Sequence, residues 1–276
     1  NGIEKLMANL KVNKANGPDN IPIRILKEHC KYIAPLLQFI FQQTYDTGIL
    51  PDDWLTANVV PIYKKGSKMD AANYRPVSLT AVTCKMIEHI IHKAIAVHLS
   101  RNNYLASYQH GFRAKHSCES QLIITLDDLH RSLDNKKQTD MAILDFSKAF
   151  DSVAHQRLLL KLQHCGVRGK TSEWIKFWLT NRTQQVVLNG TSSEPIKITS
   201  GVPQGSVLGP LMFIIFINDI GSNITSQIRL FADDCLVYRT IHTEDDTKIL
   251  QQDLDTVTKW AETWQMKFNV NKCSIL

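Results

Sequence analysis

The apolar positions of the first half follow a helical rhythm. From Ile23 to Thr47 they recur through Ile25, Leu26, Ile33, Leu36, Leu37, Ile40 and Phe41, which predicts one long helix stopped by Gly48 and Pro51. Ahead of it lies a Lys- and Asn-rich stretch ending in the turn sequence Asn16-Gly-Pro-Asp-Asn20. Asn58-Val-Val-Pro-Ile-Tyr63 predicts a short strand that runs into the basic segment Lys64-Lys65-Gly-Ser-Lys68. Further helices are predicted over about residues 82–99 and 117–133, the second amphipathic and followed by the polar turn Asp134-Asn-Lys-Lys-Gln138.

From Met141 onward the pattern changes. Met141-Ala-Ile-Leu144 is a continuous apolar run, which predicts a strand buried on both faces and ending at Asp145. A helix over about 155–163 follows, with Asp151 or Ser152 as its cap, and a second carries Trp174, Phe177, Trp178 and Leu179. Gln184–Leu188 and Ile196–Thr199 predict a hairpin around Asn189-Gly190. The loop Ser200-Gly-Val-Pro-Gln-Gly-Ser206 leads into an apolar helix over about 208–217. Ile228–Ala232 and Cys235–Arg239 read as strands that bracket Asp233-Asp234 at a hairpin tip. A last helix over about 246–264 leads to a short strand near 267–270. The class is α+β, helical first and mixed afterwards.

Composition narrows the function. With 43% hydrophobic and 21% charged residues in 276, the chain has a core-forming balance and is not disordered. Its six cysteines are scattered without a CxxC pair, which argues against a disulfide framework or a structural zinc and fits a reducing compartment. The longest apolar run, Leu211–Ile217, is far shorter than the roughly 20 residues that span a bilayer. A net charge of +6 permits a polyanionic partner without requiring one.

Candidate chemistry gathers around the acids. Asp145 ends an apolar strand, where an ionised carboxylate needs a partner to offset its desolvation. Brought together with Asp233 and Asp234, it would be tolerable only around a cation or with one group protonated. Oxygen-only ligands suit Mg²⁺, and two such ions roughly 3.5–4 Å apart activate an attacking oxygen and hold a leaving phosphate oxygen. Phe150, five residues past Asp145, either fills the core or stands under a nucleotide sugar, where its ring excludes a 2′-hydroxyl. In Pro203-Gln204-Gly205, glycine admits close backbone approach and Gln204 offers an amide to a sugar or base. Lys64, Lys65 and Arg75 form a basic loop suited to phosphates. Lys272 follows the final strand as a candidate general acid, and Gly111 and Arg113 offer a nucleic-acid backbone a close approach and a fork. Phe150 aside, an isolated residue of this kind is more often a cap, a turn residue or a solvated charge.

In order, Tyr74-Arg-Pro-Val-Ser-Leu79, Gln109-His-Gly-Phe-Arg113, Leu144-Asp-Phe-Ser-Lys-Ala-Phe-Asp151, Gly201-Val-Pro-Gln-Gly-Ser-Val-Leu-Gly-Pro210 and Phe231-Ala-Asp-Asp234 make one pattern. The chain resembles the reverse transcriptases of non-LTR (LINE-like) retrotransposons, over about Leu10 to Cys273. The resemblance implies a right-hand polymerase. Residues 1–135 would form an N-terminal extension and fingers, and 136–276 a palm on an antiparallel sheet flanked by helices. The thumb would be missing, as in a fragment of a polyprotein or a degenerate copy.

The resemblance also implies roles. Asp145, Asp233 and Asp234, with the Phe146 carbonyl, would bind two Mg²⁺ ions, with Mn²⁺ as a substitute. Lys272 would be the acid, while Lys65 and Arg75, with Lys64 in neighbouring register, would grip the triphosphate. Phe150 would gate the sugar, Gln204 and Gly205 would line the nucleotide pocket, and Gly111 and Arg113 would meet the template. The partners would be an RNA template, a DNA primer and dNTPs, with no membrane, in nucleus and cytoplasm. Rival readings are a non-catalytic nucleic-acid-binding palm relic and a palm-type nucleotidyl cyclase.

Overall fold

The computed structural model describes residues 2–276. In chain order the helices are α1 (Gly2–Ala8), α2 (Ile23–Glu28), α3 (Cys30–Thr47) and α4 (Asp52–Leu55). Strand β1 (Thr56–Tyr63), a 3₁₀ turn (Ala71–Asn73), strand β2 (Tyr74–Leu79), and helices α5 (Val82–Arg101) and α6 (Cys118–Asp134) follow. Then come β3 (Gln138–Leu144), α7 (Ala149–Ser152), α8 (His155–His164) and α9 (Gly169–Thr180). Next are β4 (Thr183–Leu188), β5 (Thr191–Ser192), β6 (Ile196–Lys197) and α10 (Leu208–Ile217). The chain closes with β7 (Gln227–Phe231), β8 (Asp234–Ile241), α11 (Glu244–Trp264) and β9 (Ser274–Ile275). No helix among the described residues is long and apolar enough to cross a membrane.

Two compact units divide the chain, and neither is continuous in sequence. The first comprises residues 1–98 and 159–209, the second 99–158 and 210–276.

In the first unit a sheet of order β2-β1-β4-β5, with β6 also on β4, joins segments more than a hundred residues apart. β1 and β2 form an antiparallel hairpin closed by Tyr63 opposite Tyr74, while β1 and β4 run parallel with Thr56 opposite Thr183. The core is built from α5 positions Ile87, Ile91 and Ile95 and from α9, where Trp174 and Trp178 are fully buried and stacked at 6.4 Å. The Asn16–Asn20 turn lies so close to this core that a Cβ on Gly17 would stand 2.5 Å from the Ala81 Cα.

In the second unit the sheet order is β7-β8-β3-β9, with every pairing antiparallel. Apolar α10 is buried along its length, and Phe216 meets the rings of Trp260 and Trp264 on α11. Asp253 of α11 is buried and accepts hydrogen bonds from Ser226 N (2.7 Å) and Thr225 N (3.2 Å), which pins the helix beside the start of β7.

Several expectations are corrected. The stretch 23–47 is two helices broken at His29, whose φ of −105° and ψ of 22° end α2; the apolar spacing continues across the break and so hides it. Residues 2–8 are helical, because Ile3 and Met7 fall on one buried face. Asp151 and Ser152 lie in a separate turn, α7, ahead of the 155–164 helix, and there the Ser152 hydroxyl donates to Ala149 O. Strand β3 begins at Gln138, and only Met141 and Ala142 of it are buried. The strand expected near 267–270 reduces to one bridge, Phe268 opposite Phe146, and the true strand is β9. Helix α6 buries polar Gln121, Thr125 and Ser132 and exposes Leu122, Ile123, Leu126 and Leu133. Its polar face is held to the sheet by Asp128, which accepts from Arg229 (2.7 Å) and Tyr238 (2.5 Å), and by Ser132 against Thr240 (2.6 Å).

Candidate active site

Strand register places the acidic residues. Leu144 pairs with Cys235, so the next position along β3, Asp145, lies opposite Asp234 at the head of β8. Phe231 pairs with Asp234 and leaves Ala232 and Asp233 as a two-residue turn, with Ala232 at φ +56°. Partial burial pushes the Asp234 carboxyl above its ordinary range, and the charges of Asp233 and Asp145 push it further; Lys272 pulls the other way.

Lys272 is the partner that the strand-end carboxylate required. Its Nζ donates to Asp145 Oδ1 at 3.0 Å and Oδ2 at 3.2 Å. The segment carrying it is stitched to the end of β3, with Asn269 N–H donating to Asp145 O and Ser147 N–H to Lys267 O, both at 2.7 Å. These bonds use residues 145 and 147, so the N–H and C=O of Phe146 turn away from Phe268.

Among the described residues no three Asp, Glu, His or Cys side chains are gathered closely enough to hold an ion as they stand. The donor chemistry nonetheless fits a hard divalent cation. Three carboxylates and the Phe146 carbonyl supply only oxygen, and the repulsion that raises Asp234 is what such an ion relieves.

Phe150 lies in the same unit. Its half-buried ring stacks on Phe213 of α10 at 4.4 Å and 12°, with the edge of Phe112 at 6.0 Å. One ring face is therefore fixed by the core, so the core and gate readings of this residue are compatible. Gly111 packs against the Ala232 turn, and Arg113 Nη1 donates to the carbonyls of Ala106 (2.5 Å) and Gln109 (3.0 Å) within its own loop.

The remaining predicted residues belong to the first unit. Lys64, Lys65 and Arg75 are exposed at the β1–β2 hairpin and make no ion pair among the described residues. The loop between these strands is ordered from within: Tyr63 OH donates to Gly66 O (2.6 Å), Tyr74 OH to Lys68 O (2.9 Å), and the two rings meet edge to face. At the Pro203-Gln-Gly205 loop, Ser78 N–H donates to Gln204 O at 3.0 Å. Gly205 has φ +116°, and a Cβ there would lie 2.5 Å from Ser78 O, so the position requires glycine.

Sequence reasoning passed over Glu88 and gave Gln109 no role beyond its place in the Gln109–Arg113 block. Glu88 is fully buried in α5, and its Oε2 accepts from Val207 N (2.7 Å) and Leu208 N (3.1 Å) at the start of α10. The one signal available was an acid inside the apolar run of α5.

Residues 62–276 match the family described as Reverse transcriptase (RNA-dependent DNA polymerase). This chain belongs to the reverse transcriptase family. It is 30% identical over 282 residues to "RNA-directed DNA polymerase from mobile element jockey" of Drosophila melanogaster, covering 99% of this chain and 31% of that protein. The protein of the same description from Drosophila funebris is 31% identical, with the same coverage. "Probable RNA-directed DNA polymerase from transposon X-element" of Drosophila melanogaster is 28% identical over 94% of this chain and 29% of its own length. The reverse transcriptase chain thus spans about 31% of the length of the jockey proteins it matches. The mixed α and β architecture agrees with a palm-and-fingers reverse transcriptase, a family that works with a divalent cation.

Proposed function

We propose that this chain is the polymerase core of a non-LTR mobile element, an RNA-directed DNA polymerase that adds dNTPs to a primer 3′-hydroxyl on an RNA template. The observation that carries this reading is the β3–β8 register, which sets Asp145 opposite Asp234 with Asp233 beside it. The names of the relatives supply the chemistry and the template class.

Asp145, Asp233 and Asp234, with the Phe146 carbonyl, are the groups that would hold Mg²⁺, two ions in the fullest case, with Mn²⁺ as the alternative. An ion held by these groups would supply charge neutralisation at the reacting phosphate and activation of the attacking hydroxyl. The residues of the chain do the rest by positioning. Lys65 and Arg75, with Lys64, meet the triphosphate charge, and the backbone-pinned Gln204-Gly205 loop lines the nucleotide. Phe150 stands under the sugar, its ring backed by Phe213. Lys272 hands a proton to the departing pyrophosphate. Gly111 and Arg113 face the template, Arg113 keeping Nε and Nη2 for a phosphate while Nη1 serves its own loop. We assign the antiparallel unit to the palm and the other to the fingers with the N-terminal extension, and place the activity in nucleus and cytoplasm.

The test is primer extension with Mg²⁺, an RNA template annealed to a DNA primer, and the four dNTPs. Extension that disappears in Asp233→Ala is expected. Binding of the duplex without extension by the unmutated chain would show a relic, and a cyclic product from a lone nucleotide would show a cyclase.

A further inference from the structure

Gln109 is fully buried, 0% exposed, in the segment between α5 and α6 that lies along the edge of β7. Backbone pairing there is short. His110 N–H donates to Leu230 O (2.9 Å) and Leu230 N–H donates to Tyr108 O (2.8 Å). Two residues on, Ala232 presents its groups to the same side, as alternation along a strand requires. At that point the side chain of Gln109 takes over from the backbone. Its Oε1 accepts from Ala232 N–H (3.0 Å) and from Gly111 N–H (2.7 Å), and its Nε2 donates to Ala232 O (3.1 Å). One primary amide thus replaces a residue of β-strand and satisfies both backbone groups of a buried alanine.

Two further features serve the same turn. Ala232 holds φ +56°, a conformation that an alanine keeps only when its surroundings over-determine it. Gly111 supplies the clearance, since a Cβ there would stand 2.1 Å from Ala232 N. Directly after Ala232 come Asp233 and Asp234.

We propose that Gln109 is a positioning residue for the polymerase reaction: its amide fixes the Ala232 turn and thereby the directions of the Asp233 and Asp234 carboxylates. The inference rests on the reading of those two aspartates as the catalytic acids. Misplacement of such groups by about 1 Å costs on the order of 100-fold in rate, so a clamp on the turn is felt in kcat and not in duplex binding.

The experiment compares the full chain with Gln109→Leu, Gln109→Glu, and Gln109→Leu combined with Ala232→Gly. Primer extension gives kcat and KM separately, and amide hydrogen exchange follows Gly111, Ala232 and Val237. Gln109→Leu is expected to lose about 100-fold in kcat, with KM for primer–template unchanged and only the amides of Gly111 and Ala232 exposed. Adding Ala232→Gly is expected to restore about ten-fold of that loss, because glycine holds φ +56° unaided. Should Gln109→Leu not fold, Gln109→Glu decides: it keeps both acceptor contacts, loses the donor to Ala232 O, and should lower kcat at unchanged KM. A folded Gln109 variant with the parent kcat, or a loss that Ala232→Gly leaves untouched, overturns the positioning role. No extension by the unmutated chain is a separate result, which refutes the polymerase reading and the positioning role with it.

Discussion

Lys272 spans both carboxylate oxygens of Asp145, at 3.0 and 3.2 Å, across 127 residues of sequence. The lysine side chain is 51% exposed, so the pair adds less than about 1 kcal/mol to stability. In the proposed role of general acid, Lys272 would be worth about 100-fold or more in kcat. Lys272→Ala should lose that factor at an unchanged melting temperature. Lys272→Arg should lose as much, because a guanidinium keeps the charge and withholds the proton. Single-turnover extension by the two variants measures this, and full activity in Lys272→Arg would reduce the lysine to a counter-charge.

Phe150 is braced by Phe213 at 4.4 Å and cannot swing aside without breaking that stack. Phe150→Ala should therefore raise ribonucleotide incorporation relative to deoxyribonucleotide by about ten-fold or more, equivalent to about 1.4 kcal/mol of lost steric exclusion. Competition between a dNTP and the matching rNTP reads the ratio. An unchanged ratio would leave Phe150 as core alone.

Arg182 is 1% exposed and has no hydrogen-bond partner among the described residues for its Nε, Nη1 or Nη2. Its Cζ lies 5.4 Å from the centroid of the Trp178 ring, and burial lowers its pKa while the nearby charge of Glu88 raises it. Glu88→Ala should cost about 3–5 kcal/mol, since it strands this cation and two α10 N–H donors. Combining Glu88→Gln with Arg182→Met should recover much of the loss, because both charges then leave the interior. Urea unfolding of the two singles and the double tests the coupling; strictly additive losses would show that the charges act separately.

Helix α11 is acid-sensitive at both of its anchors. Asp246 accepts from Arg239 (2.9 Å) and from the N–H groups of His242 and Thr243 (3.0 Å each), and these bonds hold its carboxyl down to about 2 from 3.8. Burial raises the pKa of Asp253, but hydrogen bonds from Ser226 and Thr225 outweigh it and leave the group lowered. Both folded values lie below the unfolded ones, so their stabilisation is complete above about pH 4 and fades as pH falls toward 2. Melting curves between pH 6 and 2 should show a smaller acid loss in Asp246→Asn than in the parent chain.

Local chemistry made much of this protein legible before any coordinates. The apolar run of α10 and the Asn189-Gly190 turn appear where the side-chain pattern puts them, whereas the hairpin at Asp233 turns one residue earlier than expected, at Ala232-Asp233, with Asp234 already in β8. Other features depend on partners far away in sequence. The pattern of α6 is amphipathic, yet its polar face turns inward because Asp128 and Ser132 find Arg229, Tyr238 and Thr240 there. The parallel pairing of β1 with β4 leaves no local mark, since either strand would pair as well with another. The roles of Gln109 and Glu88 were not legible for a related reason: a side chain that serves another segment's backbone has no spacing of its own.

By itself, then, the amino-acid order determined most of the inventory: the main helices and strands, which blocks mark a reverse transcriptase, and which carboxylates are candidates for metal. Tertiary structure alone decided the pairings, setting Asp145 against Asp234 and Lys272, Gln109 against Ala232, and Glu88 against the start of α10. The division follows from range. Propensity and periodicity act within a few residues, whereas register and buried hydrogen bonds are settled only when distant segments compete for the same interior.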